Sequence, residues 1–271
     1  MGDECATLTP STEILQLFTG FQKELDAKYD RHERLVKLSR DVTIESKRAI
    51  FQLQRITKAA TDADRAGILE SADKKLAWIR NSLVRKIAAE FAAGADHPLR
   101  YLRAYNFALQ EFIEACSFHW FLKTCSLLHA SEIHRRLRFD DCALPLPTSE
   151  FLLGISDLGG EAMRYAVNSV SAGHLDAASQ ARELLRAMHE GCGLLSARLV
   201  GGRDWAGKCR VLRQSLLKVE YAVYALKLRR VEGGAVVAAT AAAFVGAAVR
   251  GYESSAPLEA DEEAQADVLW S

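Results

Sequence analysis

Proline is scarce in this chain and glycine is unevenly spread. Five prolines and 17 glycines occur in 271 residues, and most of the glycines lie beyond residue 150. All-β sandwiches and barrels need turn signals about every 8–12 residues, so that class is excluded and helix is expected. Charge of one sign is also lacking: 35 Lys and Arg balance 35 Asp and Glu. A histone-like basic blanket is thereby excluded, although local basic faces are not. The most apolar stretch, Ala235 to Val249, is dominated by alanine and falls short of the ~20 residues that span a bilayer. No membrane span is expected. Met1 to Thr12 carries Asp3 and Glu4 but no Lys or Arg, which reads as neither a secretory signal nor a transit peptide. The 6 cysteines form no CxxC pair and read as free thiols of the cytosol or nucleus.

What remains is 49% hydrophobic and 26% charged, ordinary for a chain that buries a sizeable core. No Pro or Gly interrupts Phe21 to Asp64, and Phe18, Phe21, Leu25, Leu35, Leu38, Val42, Ile50, Leu53 and Ile56 recur there at helical spacing. One helix from about Thr12 to Thr57 would reach roughly 70 Å at 1.5 Å per residue. That exceeds a compact domain of this size, so the helix belongs to an elongated bundle or serves a partner chain. The same reading predicts a second helix from Thr61 or Asp62 to about Phe91. A third, capped by Asp96 with Pro98 in its first turn, runs to about Leu127. A short fourth spans Ser131 to Phe139. A fifth runs from a Thr148 cap to about Ser171, a sixth from about Leu175 to Leu199, and a seventh from about Asp204 to Arg230. The fold class is all-α, an elongated seven-helix bundle. The expected domain is 11–230, between a disordered 1–10 and an Ala-rich, acidic, disordered 231–271.

Two pairs of acids stand out. Glu111 and Glu114 are three apart in the apolar middle of the third helix, so they share a face with Cβ atoms ~5–6 Å apart. Asp157 and Glu161 are four apart in the fifth helix, among Gly154, Gly159 and Gly160. Glycine costs up to ~1 kcal/mol against alanine in a helix, and three of them fit the close approach of another helix or a ligand. Buried carboxylates must be paired, hydrogen-bonded or metal-bound. Four of them from two helices suit a hard divalent cation, Mg²⁺ or Mn²⁺, that activates water against a phosphodiester. Solvated or salt-bridged helix acids are the plain alternative. A di-iron bundle is disfavoured, since no Glu-x-x-His pair accompanies them.

Basic residues supply the other half of a nucleic-acid reading. Phe21 to Ala60 holds ten Lys and Arg against six acids, and Arg203 to Arg230 holds eight against two. Such faces track phosphates, or are simply solvated. Arg34, Lys37, Arg40, Lys47 and Arg48 are the candidate phosphate contacts, with Lys123 and His119 near the first acid pair. His119 could stack on a base; the alternative is a core histidine.

The segments Phe21-Gln22-Lys23-Glu24-Leu25-Asp26-Ala27 and Glu33-Arg34-Leu35-Val36-Lys37-Leu38-Ser39-Arg40-Asp41 resemble the translin-associated factor X branch of the translin family. So do Leu109-Gln110-Glu111 with Glu114-Ala115, and Leu152-Leu153-Gly154 with Asp157-Leu158 and Gly160-Glu161. The resemblance continues through Gln214-Ser215-Leu216 and Lys218-Val219-Glu220, covering about Ile14 to Arg230. It implies a seven-helix fold that assembles with translin into a hollow hetero-oligomer, a Mg²⁺-dependent endoribonuclease on single-stranded RNA, with single-stranded DNA as a related ligand. It also implies passenger-strand removal in RNA silencing and trimming of tRNA fragments. The family's catalytic, metal-binding acids carry over onto Glu111, Glu114, Asp157 and Glu161. The alternative is a non-catalytic nucleic-acid-binding or scaffold subunit that stabilises a translin partner. The expected compartment is the cytoplasm, with the nucleus second.

Overall fold

The computed structural model describes residues 10–92, 94, 97–196, 200 and 202–232. Seven helices are present among them. Helix α1 is Pro10–Gln54, extended by a 3₁₀ turn, Arg55–Lys58. Helix α2 starts as Asp62–Trp78, passes through a π-helical segment, Ile79–Val84, and ends as Arg85–Ala89. A 3₁₀ turn, Pro98–Tyr101, leads into α3, Leu102–Thr124. Then come α4, Ala130–Arg136; α5, Thr148–Ser171; α6, Leu175–Gly193; and α7, Arg203–Glu232. The expected all-α, seven-helix architecture is what forms. The disordered ends expected at 1–10 and 231–271 fall almost wholly outside the described residues.

Helix α1 contains 45 residues, about 68 Å of helix at 1.5 Å per residue. Its two halves differ. From Leu35 onward a buried stripe steps by four and three: Leu35, Ser39, Val42, Ser46, Ala49, Leu53 and Ile56. That alternation is the seam geometry of helices packed side by side, and its small members allow close approach. In the first half Ile14, Leu15, Leu17, Phe18, Phe21, Leu25 and Tyr29 are all exposed. The apolar pattern read from the sequence is therefore continuous, but among the described residues only its second half is covered.

Helix α3 is the centre of the molecule. Leu109, Phe112, Ile113, Ala115, Cys116, Phe118 and Phe121 surround its axis and are all but inaccessible, as befits a helix apolar all round. It packs on α1 on one side and α5 on the other, and α5 in turn packs on α6 and α7. Side-chain pairs fix the directions. Arg31 sits over the Tyr101 ring and Lys47 pairs with Glu111, so α1 and α3 run parallel. Gly154 abuts Gln110 while Tyr165 meets Phe118 and Phe121, so α5 runs the same way. Lys208 reaches Leu153 and Leu212 reaches Gly159, which makes α7 the fourth parallel member. Helices α2 and α6 return the chain antiparallel, with Arg34 on Glu90 and Gln52 on Ser71 for the first, and Arg186 on Glu220 for the second.

Several helix ends depart from expectation. Thr61 does cap α2, in a reciprocal pair with Asp64. The turn before α3 is capped by His97, whose Nδ1 accepts from the Leu99 N–H at 3.3 Å, whereas the expected cap, Asp96, lies outside the described residues. Helix α3 stops at Thr124, three residues early, because Cys125 adopts a left-handed backbone (φ 56°) and returns its N–H to Phe121 O. Helix α4 stops at Arg136, short of the expected Phe139, where the chain turns into an isolated bridge between Arg138 and Ala143. Thr148 is the first residue of α5 and not its cap; Pro147 precedes it with no side-chain cap. Helix α6 ends at Gly193, not Leu199; Gly191 and Gly193 in its last turn weaken it there.

Candidate nucleic-acid and metal site between α3 and α5

Close contact between α3 and α5 is made by a missing side chain. A Cβ on Gly154 would stand 3.0 Å from Gln110 Cα, Gln110 O and Ile113 Cβ. Gly159 plays the same part toward α7, where a Cβ would meet Leu212 Cδ1 at 2.6 Å. Parallel and closely set, α3 and α5 bring their acids to one region. Glu111 and Glu114 from α3 join Asp157 and Glu161 from α5, and the fields of Asp157, Glu111 and Glu161 all act on Glu114.

Each acid is held differently. Glu111 lies 3.4 Å from Lys47 Nζ of α1. Asp157 Oδ2 takes a 2.5 Å contact from Lys208 Nζ of α7. Glu161 is buried; its Oε2 accepts from Gln54 Nε2 at 2.7 Å, its main-chain oxygen accepts from the same amide at 3.0 Å, and Arg164 stands 3.5 Å from Oε1. Glu114 has no hydrogen bond or ion pair among the described residues.

The electrostatics follow from that arrangement. Burial raises the Glu114 carboxyl well above its ordinary pKa, and the charges of Asp157, Glu111 and Glu161 push it further, while Lys208 opposes. Burial also raises Glu111, with Lys47 pulling the other way, and raises Asp157 against the pull of Lys208. Positive charge brought among these oxygens would relieve all three. Among the described residues, no three acidic, histidine or cysteine side chains are gathered tightly enough to enclose a metal ion as they stand. The donor set is nonetheless all carboxylate oxygen, the kind a hard cation takes. One of its members is unpaired, and two are held only by flexible lysine stems. The residues fit such an ion.

Four further residues belong to this site; Lys208, Gln54 and Glu150 carry no motif, and Gln110 stands out only as part of Leu109-Gln110-Glu111. Lys208 and Gln54 come from distant helices, and Gln110 with Glu150 form a buried bond of 2.7 Å, Nε2 to Oε2, beside Lys208. The basic excess of Arg203 to Arg230 contained Lys208, but composition does not single it out.

The expected phosphate contacts divide. Lys37 and Arg40 are exposed and form no ion pair among the described residues. Lys123 is exposed as well, at the far end of α3. Arg34 is exposed but forks onto Glu90 at 2.9 to 3.2 Å, Arg48 pairs with Glu45 and Lys47 with Glu111. His119 is a correction. It is 3% exposed, its Nε2 lies 3.1 Å from Leu69 O, and burial lowers its pKa. A ring so enclosed offers no face to a base; it is a satisfied core histidine.

Comparison with known proteins now adds to this geometry. The sequence profile described as Translin family matches residues 30–230. The chain belongs to the translin family. It is 38% identical over 240 residues to translin-associated protein X of Mus musculus, covering 81% of this chain and 80% of that one. It is 29% identical over 223 residues to the translin-associated protein X homolog of Schizosaccharomyces pombe, covering 79% and 89%. The resemblance read from the sequence is thus borne out. Among solved structures, apo-NeC3PO superposes with a TM-score of 0.60 at 17% identity, over 82% of this chain and all (100%) of that one. AfC3PO in complex with duplex RNA gives 0.58 at 22% identity, over 79% and 98%. At those identities the structures establish a shared translin-type fold.

Proposed function

We propose that this translin-family chain is the catalytic subunit of a Mg²⁺-dependent endoribonuclease (Mn²⁺ serving as well) that cuts single-stranded RNA in an assembly with a translin-type partner. The observation that carries the proposal is the meeting of Glu111, Glu114, Asp157 and Glu161 between two parallel helices, with Glu114 unpaired and its neutral form favoured. When bound there, the cation would acidify a water and neutralise charge on the phosphate. The chain's own part is to position and to exchange a proton. Gln54 fixes Glu161 through two hydrogen bonds. Burial and the neighbouring acids favour the neutral Glu114 carboxyl; positive charge brought to the cluster would release that proton, and only the carboxylate so formed could take one from the attacking water. Lys37 and Arg40, exposed on α1, are placed to meet phosphates.

A partner is supported by the first half of α1, whose exposed apolar residues no described residue covers, and by exposed Val211, Leu217 and Tyr224 on α7. Contiguous apolar surface of that kind marks association. RNA as ligand is supported by the same fold having been solved with duplex RNA in AfC3PO. Passenger strands of RNA silencing and tRNA fragments are the substrates to try first, in the cytoplasm and then the nucleus.

The second reading is a non-catalytic RNA-binding or scaffold subunit. It is favoured by one observation: three of the four acids already have partners within the chain. The assembled protein on fluorescent single-stranded RNA, with Mg²⁺ or with chelator, separates the two. Glu114→Gln and Asp157→Asn should each lower cleavage about 100-fold or more while RNA binding persists. Wild-type rates in both variants would remove these acids from the chemistry.

A further inference from the structure

Lys208 stands among the acids and belongs to none of the sequence patterns that reveal them. Its Nζ donates to Asp157 Oδ2 at 2.5 Å, to Gln110 Oε1 at 3.3 Å and to Leu153 O at 3.3 Å. Its charge also acts on Glu111 and Glu114, so one ammonium serves three of the four carboxylates. Lys47, by contrast, is paired with Glu111 alone.

The protein fixes this lysine in place. Trp205, one turn before it, and Leu212, one turn after it, are both buried, so α7 cannot turn away. Gln110 is buried between α3 and α5; it donates its amide to Glu150 and thereby turns its carbonyl oxygen toward Lys208. The four-carbon stem of the side chain is the part free to swing. An ammonium is a compact, hard, oxygen-seeking cation, and here it bonds Asp157, one of the carboxylates that a divalent ion would need.

We propose that Lys208 is a resident cation of the acid cluster, competing with a divalent ion for Asp157, with Gln110 and Glu150 acting as its positioning residues. The inference rests on the metal-site reading above. Its consequence is that Asp157, Glu111 and Glu114 are partly compensated without metal, at the expense of a weakened affinity for metal. Charge, and not the hydrogen bond, sets the competition. Lys208→Gln should therefore relieve it and Lys208→Arg should preserve it.

The test is Mn²⁺ binding to the assembled protein without RNA, followed by the electron paramagnetic resonance of free Mn²⁺. Lys208→Gln should bind Mn²⁺ on the order of tenfold tighter than wild type, because the competing charge is gone, and Lys208→Arg, which keeps the charge, should bind as wild type does. Equal or weaker binding by Lys208→Gln overturns the proposal while leaving the metal site intact. No Mn²⁺ binding by wild type and variant alike overturns the metal site and this proposal together. A second readout uses wild type only, in case the variant does not fold: acylation of Lys208 by an amine-directed ester, quantified by peptide mass spectrometry. Mn²⁺ should raise that labelling several-fold relative to Lys218, because the amine is released. Labelling indifferent to Mn²⁺ in a protein that binds the ion counts against it.

Discussion

On its α1 side, helix α3 is met by a stripe whose small members are Ser39, Ser46 and Ala49; on its α5 side it is met by Gly154. Both arrangements bring helix axes close, yet the first interface is closed by Leu35, Val42 and Leu53 and the second admits four carboxylates. Hydroxyl and methyl groups at steps of three and four still fill space, so the α1 seam is closed by side chains. Glycine fills nothing, so the α5 seam has backbone contact at one level and leaves room for acids at the next. Close approach in a bundle is therefore not a single device: the choice among Ser, Ala and Gly decides whether a seam is filled by side chains or leaves room for charged groups.

The difference can be broken most severely on the side closed by side chains. Leu53→Ala should cost about 2–5 kcal/mol, as for other buried leucines, measurable by urea denaturation of the assembled protein. Next comes Gly154→Ala, whose new methyl meets the Gln110 backbone; relief there requires a helix to move, and about 1–3 kcal/mol is expected. That variant should also lose RNA cleavage, since parting α3 from α5 parts the acids, and a fully active Gly154→Ala would show that their spacing is immaterial. Gly159→Ala should be milder, under about 1.5 kcal/mol, because the atom it meets is the mobile end of Leu212.

Smallest in size, but of opposite sign, is Glu114→Gln. The folded protein holds the Glu114 proton more tightly than the unfolded chain, whose carboxyl titrates near the ordinary 4.5. The stability this gives is complete below that value and lost as pH rises from it through the raised folded-state pKa. Without metal, Glu114→Gln should melt a few degrees higher than wild type at pH 7, at about 2–4 °C per kcal/mol, and equally at pH 4. Thermal melts at both pH values check this; a variant that melts lower at pH 7 would mean that Glu114 has a partner after all.

Much of this could be read from the chain. The spacing of Glu111 with Glu114 and of Asp157 with Glu161 put each pair on one helical face, and the glycines around the second pair, Gly154 and Gly159 among them, announced close packing. What could not be read was anything that depends on the other side of a contact. Lys208 lies 51 residues from Asp157 and looks like any lysine on a basic helix. His119, beside Trp120 in a helix bearing acids, had the look of a ligand-facing residue; only the position of Leu69 O from α2 makes it internal. Cys125 ends α3 through its backbone angle, which composition does not encode. The stripe of α1 showed that the helix is amphipathic but not that Ile14 to Tyr29 would be exposed among the described residues.

That uncovered half has a consequence for how the helix exists at all. An isolated helix of that length is marginal in water, because starting the first turn is costly while adding to an existing one is cheap. The buried turns beyond Leu35 therefore act as the seed, and the arm is grown outward from them. Amide hydrogen exchange along α1 should form a gradient, slowest near Leu53 and progressively faster toward Ile14, and a binding partner that grips the arm would flatten that gradient from its open end.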